Sequence, residues 1–358
     1  MINVTKTFLP DKEEYIKYID GIWDRVQLTN NGPLVRQLES ELRSYLNVPD
    51  ILFCGNGTIV LQIALKALQV SGEVITTPFS YCATTNSILW ENCTPVFVDI
   101  DPTTFNIDPD LIEQAITTET KAIMATHVYG NPCNVERIQE IAQKHGIAVI
   151  YDGAHAFGVN YKGKSLLSFG DMSTCSFHAT KVFHTIEGGA LISNKPELND
   201  QLSLMRSFGH RGDEFYKLAG INGKNSEFHA AMGLCNLPQV GGIISARKEI
   251  FDWYDQLLKW DFLKKPILSS HIDYNYAYYP VLFPSEKVMK KIQAALEQNN
   301  IIPRRYFYPS LNTLPFMPRF YSCPVSEDIS LRILSLPLYV GLTKQEVETI
   351  CGIINKHL

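Results

Sequence analysis

Ser173-Thr-Cys-Ser-Phe-His-Ala-Thr-Lys181, followed by Val-Phe-His-Thr-Ile-Glu187-Gly-Gly-Ala190, is the stretch on which the reading of this chain turns. A short strand candidate runs into a polar loop that carries one lysine, and a glycine pair opens the next strand. Lys181 is the only Lys or Arg between Lys164 and Lys195, and apolar and aromatic residues flank it. Most lysines are solvated surface charges. One held among apolar groups is a candidate nucleophile, because burial favours the neutral amine. Ligands of open α/β sheets sit at the carboxyl ends of strands, so the place of this lysine matters as much as its type.

Working outward, short apolar runs alternate with helical patterns from about residue 34 to 195. Leu34, Leu38, Leu42 and Leu46 repeat at a spacing of four, a helix stripe. Strands are predicted at 51–54, 73–77, 95–100, 122–126, 147–151, 173–177 and 189–192, with helices at 109–116 and 135–145 among those between them. Such alternation implies an α/β fold, a mainly parallel sheet flanked by helices on both faces. From about Gly241 the pattern changes: a helix at 245–260, the strand-like YNYAYYPVLF, and helices at 286–298 and 343–357. Two domains are expected, 1–240 with the N-terminal segment included and a smaller C-terminal α/β domain at 241–358.

The totals narrow the class. Of 358 residues, 45% are hydrophobic and 19% charged, so a large core is available and disorder is not expected. The net charge of −5 comes without a Lys/Arg block, which argues against nucleic-acid and membrane partners. The eight cysteines form no Cys-x-x-Cys pair and suit a reducing compartment; no metal site is expected. There is no apolar leader or membrane-length run, so a soluble cytoplasmic enzyme is the expected class.

Two further features point to chemistry. Gly55-Asn-Gly-Thr58 lies between a strand and a helix, where free N–H groups and the positive helix end attract an anion. The strand at 147–151 ends in Asp152, with His155 three residues on. That carboxylate either caps a helix or holds the ring nitrogen of a cofactor protonated. A third feature misleads. Gly158-Val-Asn-Tyr-Lys-Gly163-Lys164-Ser165 spells a phosphate-binding P-loop, yet Leu166-Leu-Ser-Phe-Gly170 is a poor helix start. A tight ribbon turn around Gly163 is expected there, and a nucleotide hydrolase is only a remote alternative.

VITTPFSYCATTNS, TPVFVDIDPTTFNIDP, HVYGNP, YDGAHAFG, SFHATK…EGGA and GINGKNSEFHAA, in this order, resemble the DegT-type family of pyridoxal-phosphate sugar aminotransferases, of fold type I. The resemblance covers most of the chain. It implies pyridoxal 5'-phosphate as cofactor, with Lys181 bonded to its aldehyde, Asp152 on its ring nitrogen and His155 beside its ring hydroxyl, where many relatives carry glutamine. It implies phosphate contacts from Gly57, Thr58 and Ser176, and stacking by Tyr81. Asn222 matches a residue that relatives insert into a neighbouring subunit's phosphate site, so a homodimer with shared active sites is implied. Lys224 stands where many relatives have arginine, and a compact ammonium cannot make a bidentate fork. Thr29 and Asn30, in TNNGPLV, and Arg305, Tyr306 and Tyr308, in RRYFYPSLN, are expected near the sugar or nucleotide.

These last segments look most like the branch that aminates the 4-keto carbon of dTDP-4-keto-6-deoxyglucose with L-glutamate, releasing 2-oxoglutarate, in cell-surface glycan (O-antigen) assembly. A sugar 3-aminotransferase, or a 4-aminotransferase for UDP- or GDP-sugars, stays open. A sugar 3-dehydratase of this fold would carry histidine in place of Lys181.

Overall fold

In the computed structural model, which describes residues 1–212 and 215–358, each apolar run expected as a strand between residues 51 and 192 enters one seven-stranded sheet. Counting from β1 (Ile2–Asn3), these are β2 (Leu52–Cys54), β3 (Glu73–Thr76), β4 (Thr94–Phe97), β5 (Thr120–Thr126) and β6 (Ala148–Asp152). After a small ribbon, β7 (Asn160–Tyr161) and β8 (Lys164–Ser165), come β9 (Met172–Ser176) and β10 (Gly189–Ser193). The order across the sheet is β2-β10-β9-β6-β5-β3-β4. Only β10 runs antiparallel to its neighbours, β2 and β9; every other pairing is parallel.

Both faces of this sheet are covered, and the period of two along each strand decides which residue goes where. Phe53, Ile75, Ile123, Val149 and Ala190 enter the core on one face. Cys54, Val74, Met124, Ile150 and Leu191, each next in sequence to one of these, enter the core on the other. The leucine stripe forms the helix Pro33–Leu46, with Leu34, Leu38, Leu42 and Leu46 buried as expected. It packs on the helix Glu227–Asn236, where a Cβ on Gly233 would come within 2.9 Å of Leu38. Glu227 supplies the cap that Gly32 cannot. Its buried carboxylate accepts from Leu34 N at 2.9 Å and Val35 N at 3.0 Å.

The helix Val240–Leu257 leaves the first core at Val240 and enters a second at Ile250, Phe251 and Tyr254. That second core gathers under the antiparallel pair β12 (Tyr279–Leu282) and β14 (Ile333–Leu336), with the helices Glu286–Gln298 and Lys344–His357. The first strand of the chain, β1, joins this region by pairing with β13 (Ile301–Ile302), and β11 (Ile272–Asp273) extends the β7–β8 ribbon. Of the strand-like segment YNYAYYPVLF, only Tyr279–Leu282 is strand. Among the elements that come in addition to those expected are β14 and the helices Lys12–Arg25, Cys82–Trp90 and Pro324–Arg332.

The P-loop spelling resolves as the ribbon. Asn160 pairs with Ser165 and Tyr161 with Lys164, and the two turn residues, Lys162 and Gly163, have φ of 51° and 75°. Two successive left-handed residues make the hairpin turn that matches strand twist. Past Ser165 comes a single 3₁₀ turn, Leu166–Ser168, rather than an α-helix. Among the described residues, no helix is long and apolar enough to cross a membrane.

Candidate active site

The carboxyl ends of β2, β6 and β9 open on one cavity of about 320 Å³. Lys181 and Asp152 both line it, together with Gly57, Thr58, Tyr81, His155, Ser176 and Tyr306. Eight residues expected at the site, spread along the chain from Gly57 to Tyr306, are thus brought together.

Asp152, last residue of β6, is 5% exposed. Its Oδ2 accepts from the Thr84 hydroxyl at 2.7 Å and its Oδ1 from Ala154 N at 3.0 Å. Burial pushes its carboxyl up from the usual range, while the Thr84 and Ala154 bonds and the Lys181 charge pull the other way. A buried carboxylate that lines a cavity and has no salt-bridge partner among the described residues suits a cationic N–H donor. Thr84 belongs to a hydroxyl cluster: Ser80 Oγ lies 2.8 Å from Thr84 Oγ1 and 3.0 Å from Thr126 Oγ1.

Lys181 follows β9 and is half-buried. Its Nζ lies 3.4 Å from the Tyr278 hydroxyl and 5.9 Å from the centre of that ring. His155 is buried between aromatics, stacked on Phe307 at 5.6 Å and edge-on to Tyr278 at 4.9 Å. Burial, then the Lys181 charge, hold its imidazole well below the usual histidine value. Its Nδ1 accepts from Tyr129 N at 3.2 Å, which leaves the proton of the neutral ring on Nε2.

At the other end, Asn56 caps the helix Gly57–Ala67, its Oδ1 accepting from Thr58 N at 3.0 Å and Ile59 N at 2.8 Å. A Cβ on Gly57 would sit 3.0 Å from Ser176 Cβ and 3.1 Å from its Oγ, so only glycine leaves that corner open. A helix N-terminus, a serine hydroxyl and a cradle of this kind suit a phosphate. The residues therefore fit the cofactor that the resemblance implies at both ends: an acid for a ring nitrogen, a cradle for a phosphate, and an amine between. Tyr81, 57% exposed, offers a free ring face at the cavity wall.

Six expected residues are not in this cavity. Thr29 and Asn30 are exposed, in the turn before the helix Pro33–Leu46. Asn222 pairs with Ser207, and the Lys224 ammonium lies 4.4 Å over the Phe208 ring. Burial, then the Arg206 charge, lower the Lys224 value. Their loop borders the site from behind, since Gly223 O accepts from Gly55 N at 2.9 Å and Asn225 Nδ2 donates to Glu187 O at 3.0 Å. Arg305 turns away. Its Nη2 donates to Ser330 O and Leu331 O at 3.2 and 2.9 Å, and its guanidinium covers Tyr308 at 3.4 Å. Its neighbour Arg304 lines the cavity instead, as do Tyr278, Phe307, His178 and Glu187, none of which the sequence reading assigned to the site. Two of these were within reach of the motifs: His178 and Glu187 stand three residues before and six after Lys181.

The DegT/DnrJ/EryC1/StrS aminotransferase family matches residues 10–355. The chain is 42% identical to a dTDP-4-amino-4,6-dideoxy-D-glucose transaminase of Shigella dysenteriae, over 99% of this chain and 98% of that one. Its structure resembles that of DesI, solved in the presence of its TDP-sugar product, with a TM-score of 0.93 and 29% identity over 99% and 92% of the two chains. It also resembles the PLP-form of Spr1654, a putative sugar aminotransferase of Streptococcus pneumoniae, with a TM-score of 0.89 and 26% identity over 99% of each chain.

Proposed function

The chain belongs to the DegT/DnrJ/EryC1/StrS aminotransferase family, and within it we propose an enzyme that aminates the 4-keto carbon of dTDP-4-keto-6-deoxyglucose, with L-glutamate as donor and pyridoxal 5'-phosphate as cofactor. One observation carries the reading: Lys181 and Asp152 reach the same cavity from neighbouring strands, β9 and β6. The name of the Shigella relative supports the sugar and its nucleotide; the PLP-form of the pneumococcal protein supports the cofactor.

When bound, pyridoxal phosphate supplies an electron sink beside the reacting nitrogen. The protein's part is orientation and proton transfer. Asp152 would hold the ring N–H, its charge stabilised by that cation, and Gly57, Thr58 and Ser176 would hold the phosphate. Lys181 Nζ would bond to the aldehyde at rest. As a free amine it would serve as the general base and acid that holds and moves the proton of the donor's α-carbon. On the sugar side the same amine works in the reverse order. Neutral His155 would offer its Nε2–H to the ring hydroxyl, and Tyr81 a face to the ring. Asn222 would reach into the phosphate site of a homodimer partner with Lys224 beside it, and Thr29 and Asn30 would lie near the sugar or nucleotide. The product would be dTDP-4-amino-4,6-dideoxyglucose, made in the cytoplasm.

The test is direct. Purified protein with pyridoxal phosphate, L-glutamate and dTDP-4-keto-6-deoxyglucose should yield a product whose NMR spectrum places nitrogen on carbon four. Nitrogen on carbon three would redirect the assignment, and absence of turnover would remove it.

A further inference from the structure

We propose that Arg304 grips a carboxylate of the amino donor, and so lets a cavity that must admit a sugar select an amino acid for the other half of the reaction. This assignment rests on the aminotransferase reading above. Arg304 is anchored on both backbone sides to Ser335 of β14, donating N–H at 3.1 Å and accepting at 2.8 Å. This isolated bridge holds its backbone beside β14. Its side chain reaches the cavity with the guanidinium carbon 5.1 Å from the Tyr306 ring. Among the described residues no carboxylate pairs with it and no carbonyl accepts from it, whereas Arg305 is committed to Ser330, Leu331 and Glu286.

The other charges of the cavity leave the role to it. Lys181 Nζ is the proton carrier and must move, so it cannot also anchor the donor. His155 is held neutral. The cradle of Gly57, Thr58 and Ser176 is filled when a phosphate occupies it. Glu187 lies 3.6 Å from His178, and its negative charge disfavours a second carboxylate there. A planar guanidinium without a partner is the group that matches a carboxylate with two parallel hydrogen bonds.

The experiment uses the cofactor-loaded enzyme and its Arg304→Gln and Arg304→Lys variants, with succinate as a dicarboxylate that cannot react. Succinate affinity is read by calorimetry, and the two half-reactions are followed separately. Arg304→Gln should weaken succinate and raise KM for L-glutamate by roughly tenfold to a hundredfold, the loss of a charge-assisted bond. Arg304→Lys should fall between, keeping charge but losing the fork, and KM for the keto-sugar should not change in either. Unaltered succinate affinity in Arg304→Gln, or a rise confined to the sugar's KM, overturns the assignment. Should Arg304→Gln not fold, wild-type succinate affinity in Arg304→Lys overturns the fork. A wild-type enzyme that binds succinate through Arg304 but aminates no 4-keto sugar would remove the proposed substrate and leave this assignment standing.

Discussion

The Thr84 hydroxyl donates to the Asp152 carboxylate at 2.7 Å, and among the described residues it and Ala154 N are the hydrogen-bond donors to this buried charge. Hydrogen bonds to charged groups contribute about 1.5–3 kcal/mol. Thr84→Val should therefore weaken retention of pyridoxal phosphate by roughly tenfold or more, measured by equilibrium dialysis.

Without its cofactor, Asp152 is a liability to the fold. Burial raises its folded value above the unfolded one, so in the pH window between them the unfolded chain binds fewer protons. Stability is then lost as pH rises through that window. Cofactor-free Asp152→Asn, which cannot titrate, should melt above cofactor-free wild type at about pH 7.5, with the gap shrinking toward about pH 4. Cofactor loading should reverse the order. Thermal melts at the two pH values, with and without cofactor, check the sign.

Lys181→Ala should slow the glutamate half-reaction by about 10²–10⁴-fold, the range for a positioned proton carrier. Tyr278→Phe removes only the hydroxyl that lies 3.4 Å from Nζ, and should cost a factor of roughly ten or less. Added methylamine should restore part of the rate to Lys181→Ala and none to Tyr278→Phe. Single-turnover absorbance of the bound cofactor reports both.

The parts of this protein that were legible in its sequence are those where one physical constraint dominates. Strands buried on both faces need apolar centres, so Val74–Ile75 of β3, 122–125 of β5 and 148–151 of β6 stood out. Lys181 and Asp152 were visible because a lone charge after an apolar run has few structural uses. Arg304 was not. Two arginines in succession look alike in sequence, and only tertiary contacts separate them: Arg304 bridges Ser335 of β14 and lines the cavity, while Arg305 is drawn to Ser330 and Leu331. Thr84 was hidden for a similar reason. It lies in a helix, Cys82–Trp90, whose polar CATTNS start reads as a loop until Asp152 is placed beside it.

Two buried histidines make the fold sensitive to acid. Burial pushes His127 down to about 3, and burial with the Lys181 charge holds His155 well below its usual value. The unfolded chain protonates both near 6.5, so stability present above that pH drains away as pH falls toward the folded values. Each histidine should contribute a slope of about 1.4 kcal/mol per pH unit inside the window. His127 Nδ1 accepts from Cys133 N at 3.1 Å, a role that Asn Oδ1 can imitate. Urea denaturation of His127→Asn between about pH 4 and 6.5 should show a shallower pH dependence than wild type by about that slope.

The ribbon at Lys162 to Ser165 separates spelling from structure. If Gly158 to Ser165 were a nucleotide-binding loop, Lys164 would carry phosphate affinity and Gly163 would merely give it room. In the fold the roles are reversed. Lys164 is exposed and lines no part of the cavity, while Gly163 holds φ at 75°, where a side chain is strained. Lys164→Ala should leave amination and cofactor affinity unchanged. Gly163→Val, by contrast, should lower stability by about 1–2 kcal/mol, read by urea denaturation, without touching KM for either substrate. A collapse of turnover in Lys164→Ala with the fold intact would return the motif to the list of functional sites, because nothing in the hairpin itself needs that ammonium.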